Sequence, residues 1–258
     1  MTLKEKIKRG EKIIGTHVNL TDIASAKIAG RSGYDFIWID MEHSYLSFEN
    51  LLGHIIAVKS GGTPVIVRAP QDELTFTKKI LEMGVDGIIF PMVKTKEQAD
   101  RLIESTLYAP HGNRGFGPIN AIDFGIKSAK EYVDNSLDGI CRFVQIEHID
   151  TVNNLDEIMK NEFIDGYIFG PQDLAGSINR QCDITCKENV ELIKNTTDKL
   201  HANDKFVGLS MGGVNNTELM KFWHDIGVDM LSVGADYEFL VEGMRTNREH
   251  LKKIHKIK

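Results

Sequence analysis

Eight short runs rich in Val, Ile and Phe recur along the chain, most of them separated by longer stretches of helical pattern. They span Ile13–Val18, Phe36–Asp40, Pro64–Arg68, Gly87–Pro91, Arg142–Glu147, Gly166–Gly170, Lys205–Ser210 and Met230–Gly234. The runs are continuous more often than alternating, as in strands covered on both faces, and this points to a parallel sheet. Helical patterning covers Ser47–Lys59, Leu74–Met83, Lys96–Tyr108, Thr151–Lys160, Lys187–Ala202, Asn216–Ile226 and Tyr237–Lys253. Eight strand signals alternating with helices predict a (β/α)₈ TIM barrel, a parallel eight-stranded α/β fold, ahead of an open sheet. The length of 258 residues suits one such barrel, and no low-complexity linker interrupts it, so residues 1–258 read as a single domain.

A weak repeat supports the barrel. Gly33-Tyr34-Asp35, Gly84-Val85-Asp86 and Gly227-Val228-Asp229 each follow a helix and open a strand. Glycine suits the left-handed residue that ends a helix, so these loops belong on the N-terminal face and serve stability. The longest stretch without strand character, Ala109–Phe124, is expected to be an active-site loop after the fourth βα unit.

Composition narrows the function. A formal net charge of −6 gives no overall attraction to nucleic acid or anionic lipid. The Lys-rich end, Lys252–Lys258, reads as a solvated helix end whose cations suit the macrodipole. Three cysteines form no disulfide framework, and Cys182 and Cys186 lack the second pair of soft ligands that a structural zinc requires. No stretch is apolar for the roughly 18 residues a membrane span needs, so a cytoplasmic protein is expected.

Barrel chemistry sits at the C-terminal ends of strands. There the second run gives Asp40-Met41-Glu42-His43, the third Arg68, the fifth Gln145 and Glu147-His148, and the sixth Gln172-Asp173. Glu147 and Asp173 on neighbouring strand ends suit a hard cation such as Mg²⁺ or Mn²⁺, which keeps waters that a substrate can displace. An α-keto acid could fill two such positions, and the metal would act as a Lewis acid towards its enolate. Asp173 opens a short helix over Asp173–Ser177, and the amides around Gln172 and Asp173 face the same region. Arg68 could support the enolate oxygen, and His43 could carry protons. Each residue has a structural alternative: a helix cap for Glu147, an ion pair for Arg68, an exposed imidazole for His43. The case rests on their coincidence on one face.

At these residues the chain resembles the HpcH/HpaI family of metal-dependent (class II) pyruvate aldolases. The resemblance runs from about Gly15 to Leu240 and is carried by IDMEH at 39–43, VRAP at 67–70, MGVDGIIFPMV at 83–93, VQIEHIDTVNNLDEI at 144–158 and DGYIFGPQDLAGS at 165–177. It implies a barrel of the phosphoenolpyruvate/pyruvate type, with retro-aldol cleavage of a 4-hydroxy-2-oxo acid, sugar-derived or dicarboxylic, to pyruvate and an aldehyde. The cofactor implied is a divalent cation (Mg²⁺, Mn²⁺ or Co²⁺) on Glu147 and Asp173. His43 would be the base, Arg68 the transition-state stabiliser, and Gln145 with the Gln172–Asp173 backbone the substrate contacts. The family's acid beside the histidine corresponds to Glu82, where relatives usually carry aspartate. Glu82 would serve only across a subunit interface, in a homotrimer or homohexamer that exchanges terminal helices.

Three segments depart from the family pattern: Tyr108-Ala109-Pro110, Pro118–Asp123 and the glycine-rich end of the seventh run, Gly208–Gly213. All three are expected to border the aldehyde side. The competing readings are an oxaloacetate-type decarboxylase, an acyl-CoA lyase, and a non-catalytic phosphate- or sugar-binding barrel using Gly208–Gly213 and Gly234.

Overall fold

In the computed structural model, which describes residues 1–70 and 74–257, the predicted barrel closes. Its strands are β1 (Ile13–Val18), β2 (Phe36–Asp40), β3 (Val65–Arg68), β4 (Gly87–Phe90), β5 (Cys141–Ile146), β6 (Gly166–Phe169), β7 (Phe206–Met211) and β8 (Met230–Ala235). Every neighbouring pair is parallel, and β8 returns to β1 through Ile13↔Met230. The helices are α1 (Leu3–Lys8), α2 (Ile23–Ala29), α3 (Phe48–Lys59), α4 (Leu74–Glu82), α5 (Lys96–Glu104), α6 (Ala129–Gly139), α7 (Ile149–Asn153), α8 (Leu155–Ile158), α9 (Pro171–Ser177), α10 (Lys187–His201), α11 (Thr217–Ile226) and α12 (Asp236–His255). The segment expected as one helix over Thr151–Lys160 breaks at Asn154 into α7 and α8. At the chain's end, Lys258 of the Lys-rich segment lies outside the described residues. No described helix is long and apolar enough to cross a membrane.

The barrel interior is layered, and its chemistry changes from bottom to top. Ile13, Phe36, Ile66, Cys141, Phe206 and Met230 form the lower part of one apolar cluster with Trp38, Phe143 and Ile168 above. Helix α1 plugs the bottom, because Leu3 and Ile7 join that cluster. Lys4 is buried beside them, and its Nζ donates to the Leu137 and Ile140 carbonyls and to Asp165. Two residues further along their strands, the inward positions turn polar: His17 after Gly15, Asp40 after Trp38, Arg68 after Ile66, Gln145 after Phe143 and Ser210 after Gly208. A side-chain period of two makes this switch abrupt.

The repeat has a concrete job. Asp35, Asp86 and Asp229 accept the backbone N–H of Ile14, Val65 and Val207, each on the preceding strand, at 2.8–3.0 Å. Asp165 does the same for Arg142, a fourth copy that lacks the glycine. Gly33, Gly84 and Gly227 take the left-handed φ expected of them. These aspartates stitch odd to even strands at the N-terminal face.

One expectation is corrected. Ala109–Phe124 does not border its own barrel mouth. Helix α5 ends at Glu104 on the N-terminal face, so the segment that follows starts there. It packs against the end of α4: Asn120 Nδ2 donates to the Met83 carbonyl at 2.7 Å, and a Cβ on Gly84 would lie 3.0 Å from Ala121 Cα. Of the three divergent segments, only the end of β7 borders the mouth within this chain.

Candidate active site

The strand ends enclose a cavity of about 660 Å³, whose acidic, basic and imidazole lining comprises His17, Asp40, His43, Arg68, Asp173 and Glu238. Its organising pair comes from strand register. Asp40 on β2 is level with Arg68 on β3, and the carboxylate grips the guanidinium twice, Nε–Oδ1 at 3.0 Å and Nη2–Oδ2 at 2.5 Å. Asp40 Oδ1 also accepts from the Glu42 amide at 2.9 Å, which turns the chain off the strand and aims Glu42 back at Arg68. Burial opposes ionisation of Asp40, but the charge and hydrogen bonds of Arg68 outweigh it and hold this carboxyl below its usual range. Arg68 stacks over Trp38, its guanidinium carbon 5.4 Å from the ring centroid. That packing fixes a planar cation at the mouth.

Glu42 is a site residue that the sequence reading passed over. Its Oε2 lies 3.0 Å from Arg68 Nη1 and 3.6 Å from His43 Nε2. Burial raises its pKa, Arg68 and His43 oppose the rise, and Asp40 and Asp173 add to it. The imidazole of His43 is 62% exposed, leaving it open to the cavity beside that carboxylate.

Glu147 steps off the end of β5 and is only 2% exposed. Its Oε1 accepts from the Met92 amide at 2.5 Å, and Met92 holds a left-handed φ of 53° that brings the amide to it. Burial pushes Glu147 up to about 7; the Met92 bond and Arg68 favour the anion, whereas Glu42 and Asp173 disfavour it. Gln145, two residues earlier, is buried with no partner for Oε1. Gly170, at the end of β6, faces both: a Cβ there would fall 2.8 Å from Gln145 Nε2 and 2.9 Å from Glu147 Oε2. Only glycine lets the strand pass this close. Gln172 and Asp173 follow in the first turn of α9, exposed to the cavity.

These groups fit a divalent cation. Glu42 and Asp173 disfavour the charged form of Glu147, Asp173 also disfavours that of Glu42, and Gln145 Oε1 is a buried, unused acceptor. Among the described residues, no three His, Cys, Asp or Glu side chains are arranged to hold a metal unaided. The pattern matches an open, hard-cation site whose remaining positions fall to water or substrate, and not a closed structural one.

Glu82 is not brought to this mouth. It is the last residue of α4, at the opposite end of the barrel, with Oε1 buried and unpaired near Gly117. His17 was also missed by the sequence reading. It sits under the mouth, edge-on to Trp38 at 5.0 Å between ring centroids.

A closed α/β barrel with ionisable groups gathered at its strand C-termini defines an enzyme, with its chemistry at the mouth. The family model described as HpcH/HpaI aldolase/citrate lyase matches residues 14–218, and the chain belongs to this family. It is a carbon–carbon lyase. The 2-keto-3-deoxy-L-rhamnonate aldolase of Escherichia coli (strain K12) is 30% identical over 233 residues, covering 90% of this chain and 86% of the relative. The crystal structure of an HpcH/HpaI aldolase from Desulfitobacterium hafniense DCB-2 matches with a TM-score of 0.89 at 25% identity, over 98% of this chain and 97% of the other. An HpcH/HpaI aldolase/citrate lyase family protein from Burkholderia cenocepacia J2315 shares the fold, with a TM-score of 0.89 at 22% identity over 97% and 98%.

Proposed function

We propose that this enzyme is a divalent-metal-dependent aldolase that cleaves a 4-hydroxy-2-oxo acid, such as a 2-keto-3-deoxy sugar acid, to pyruvate and an aldehyde. The observation that carries this is that Arg68, Gln145 and Asp173 line a single cavity, with the buried Glu147 carboxylate within electrostatic reach of Arg68 and Asp173. Glu147 and Asp173 would hold the cation, which would supply Lewis-acid stabilisation to the enolate. The chain's own residues do the rest. His43 takes the proton from the C4 hydroxyl, and the neighbouring Glu42 carboxylate stabilises the resulting imidazolium. The C3–C4 bond then breaks, and its electron pair passes to C3 and the C2 oxygen as the pyruvate enolate. Arg68, locked by Asp40 and Trp38, faces that negative charge. Gln145 and the Gln172–Asp173 backbone orient the acid, and return of a proton to C3 releases pyruvate.

Two alternatives lose ground on particular contacts. A phosphate site at Gly208–Gly213 would need the Gly213 amide, which already donates to the Glu238 carboxylate at 3.0 Å. A lysine Schiff base is disfavoured because no lysine lines the cavity among the described residues.

The same reading includes assembly into a homotrimer or homohexamer. Helix α12 buries none of its residues and exposes Phe239, Leu240, Val241, Met244, Leu251 and Ile254, so a second subunit would have an apolar face to cover. Light scattering on purified protein tests it, and a monomer at micromolar concentration overturns it. The function is tested by pyruvate release from a panel of 4-hydroxy-2-oxo acids, with EDTA and with added Mg²⁺, Mn²⁺ or Co²⁺. Activity should vanish with chelation and return with metal. Turnover indifferent to EDTA would sink the proposal.

A further inference from the structure

The proposed chemistry uses the β2, β3, β5 and β6 side of the mouth. The facing rim, from β1, β7 and β8, holds buried polar groups that pyruvate handling leaves unemployed. His17 is the centre of this rim. Its Nδ1 lies 2.7 Å from the Gly234 carbonyl, which can only accept, so Nδ1 carries the proton and Nε2 is left as an acceptor. Ser210 Oγ at 3.0 Å and Ser232 Oγ at 3.2 Å both compete for that single lone pair. Burial holds His17 down to about 4, so the ring stays neutral at physiological pH. Ser210 is half-exposed to the cavity, whereas Ser232 is sealed behind it. Next to them, Asn19 donates weakly to Asp40 at 3.4 Å, while its Oδ1 is buried with no partner.

The charge on this rim has one sign. Glu238 lines it, anchored by the Gly213 and Ala235 amides, and Asp40 lies between the two sides. The only side chain with a permanent positive charge on the cavity wall, among the described residues, is Arg68, already engaged by Asp40 and Glu42.

We propose that the β1–β7–β8 rim is the aldehyde subsite of the enzyme, that Ser210, oriented by His17, and Asn19 accept hydrogen bonds there, and that it selects neutral, hydroxyl-bearing aldehydes over anionic semialdehydes. A hydroxyl donor satisfies Asn19 Oδ1, which is otherwise buried and unpaired, and finds a further lone pair on Ser210 Oγ. A second carboxylate would meet acceptors and fixed negative charge, with no cation to receive it. This inference rests on the aldolase reading and narrows it to sugar-derived over dicarboxylic substrates.

The test runs the reaction as aldol addition to pyruvate with metal-loaded enzyme, comparing lactaldehyde, its deoxy analogue propanal, and succinic semialdehyde. Lactaldehyde should exceed propanal in kcat/KM by roughly 10–100-fold, and succinic semialdehyde should be slowest. In His17→Leu and Ser210→Ala, the lactaldehyde-to-propanal ratio should fall towards one, mainly through KM for lactaldehyde. If His17→Leu fails to fold, Ser210→Ala reads the ratio alone. Equal wild-type rates for lactaldehyde and propanal, faster reaction of the semialdehyde, or variants that lower both rates in proportion overturn the subsite. Metal-dependent exchange of pyruvate C3 protons in D₂O separates the two levels of inference. Exchange without hydroxyl selectivity overturns the subsite only, whereas absence of exchange with every metal overturns the aldolase reading beneath it.

Discussion

The buried carboxyl of Glu147 should make the metal-free protein less stable as pH rises, and Glu147→Gln should remove that penalty. Its ordinary value of 4.5 is pushed up to about 7 in the folded chain. A folded-state pKa above the unfolded one means that the native state binds the proton more tightly. The associated stability is therefore fully present below pH 4.5 and is lost as pH rises through about 7. Linkage between these two values gives a cost of about 1 kcal/mol at pH 5 and about 3 kcal/mol at pH 8. Glutamine keeps an oxygen for the Met92 amide and carries no charge, so it leaves the cavity wall packed. The assay is urea unfolding in EDTA at pH 5, 6, 7 and 8, wild type against variant. Glu147→Gln should be the more stable protein, by a margin that widens with pH and levels off above 7. Added Mn²⁺ should reverse the order, because only the wild type gains binding energy from it. A difference that is flat with pH, or a wild type more stable than the variant at pH 8 in EDTA, would refute the reasoning.

Other expectations follow from single contacts. Gly170→Ala places a methyl against Gln145 and Glu147; it should fold, yet bind Mn²⁺ roughly 10–100-fold more weakly by calorimetry. Asp40→Asn leaves the Arg68 guanidinium buried without its bidentate partner, costing about 3–5 kcal/mol by chemical denaturation and slowing pyruvate proton exchange. Lys4→Met removes three hydrogen bonds at the barrel floor; the melting temperature should fall, while turnover per folded molecule is unchanged. In the proposed assembly, His43→Ala and Glu82→Gln subunits, each inactive alone, should recover activity on co-refolding, since a mixed interface can pair an intact His43 with an intact Glu82. No recovery would confine Glu82 to a local role.

The barrel was legible because its strands are covered on both faces, and continuous apolar runs such as Phe36–Asp40 and Met230–Gly234 mark them within a residue or so. Three helices were not. The seven-residue α2 exposes Ile23 and Ile28, α6 buries only Ser136, and α1 is a charged segment whose Leu3 and Ile7 enter the barrel floor instead of joining the outer layer. Apolar periodicity cannot flag a helix whose apolar face is not turned to the main core. The cavity-lining residues His43, Arg68 and Asp173 were legible from strand ends alone. Asp40 and Glu42 stood in the same segment as His43, but their hold on Arg68 depends on cross-strand register and a turn, which no linear pattern encodes. His17 was hidden because β1 continues one residue past it to Val18, so its polar side chain reads as an interior position.

Trp38 joins the two halves of the mouth, and this explains why the polar layer can stand on an apolar barrel. The indole lies beneath the Arg68 guanidinium on one side and meets the His17 ring edge-on on the other. A cation over an aromatic face stays charged, and an imidazole wedged between that indole, a carbonyl and two hydroxyls stays neutral. One buried side chain thus separates a wall that, in the proposed reaction, faces developing negative charge from a wall that holds the proposed hydroxyl-accepting groups. Enolate stabilisation needs the first, and discrimination between a hydroxyl and a carboxylate needs the second. Replacing the indole would disturb both at once, whereas changes at Ser210 or Asn19 alter only the wall they occupy. Divergence in aldehyde preference is therefore expected at the rim residues, with Trp38, Asp40 and Arg68 holding the common chemistry in place.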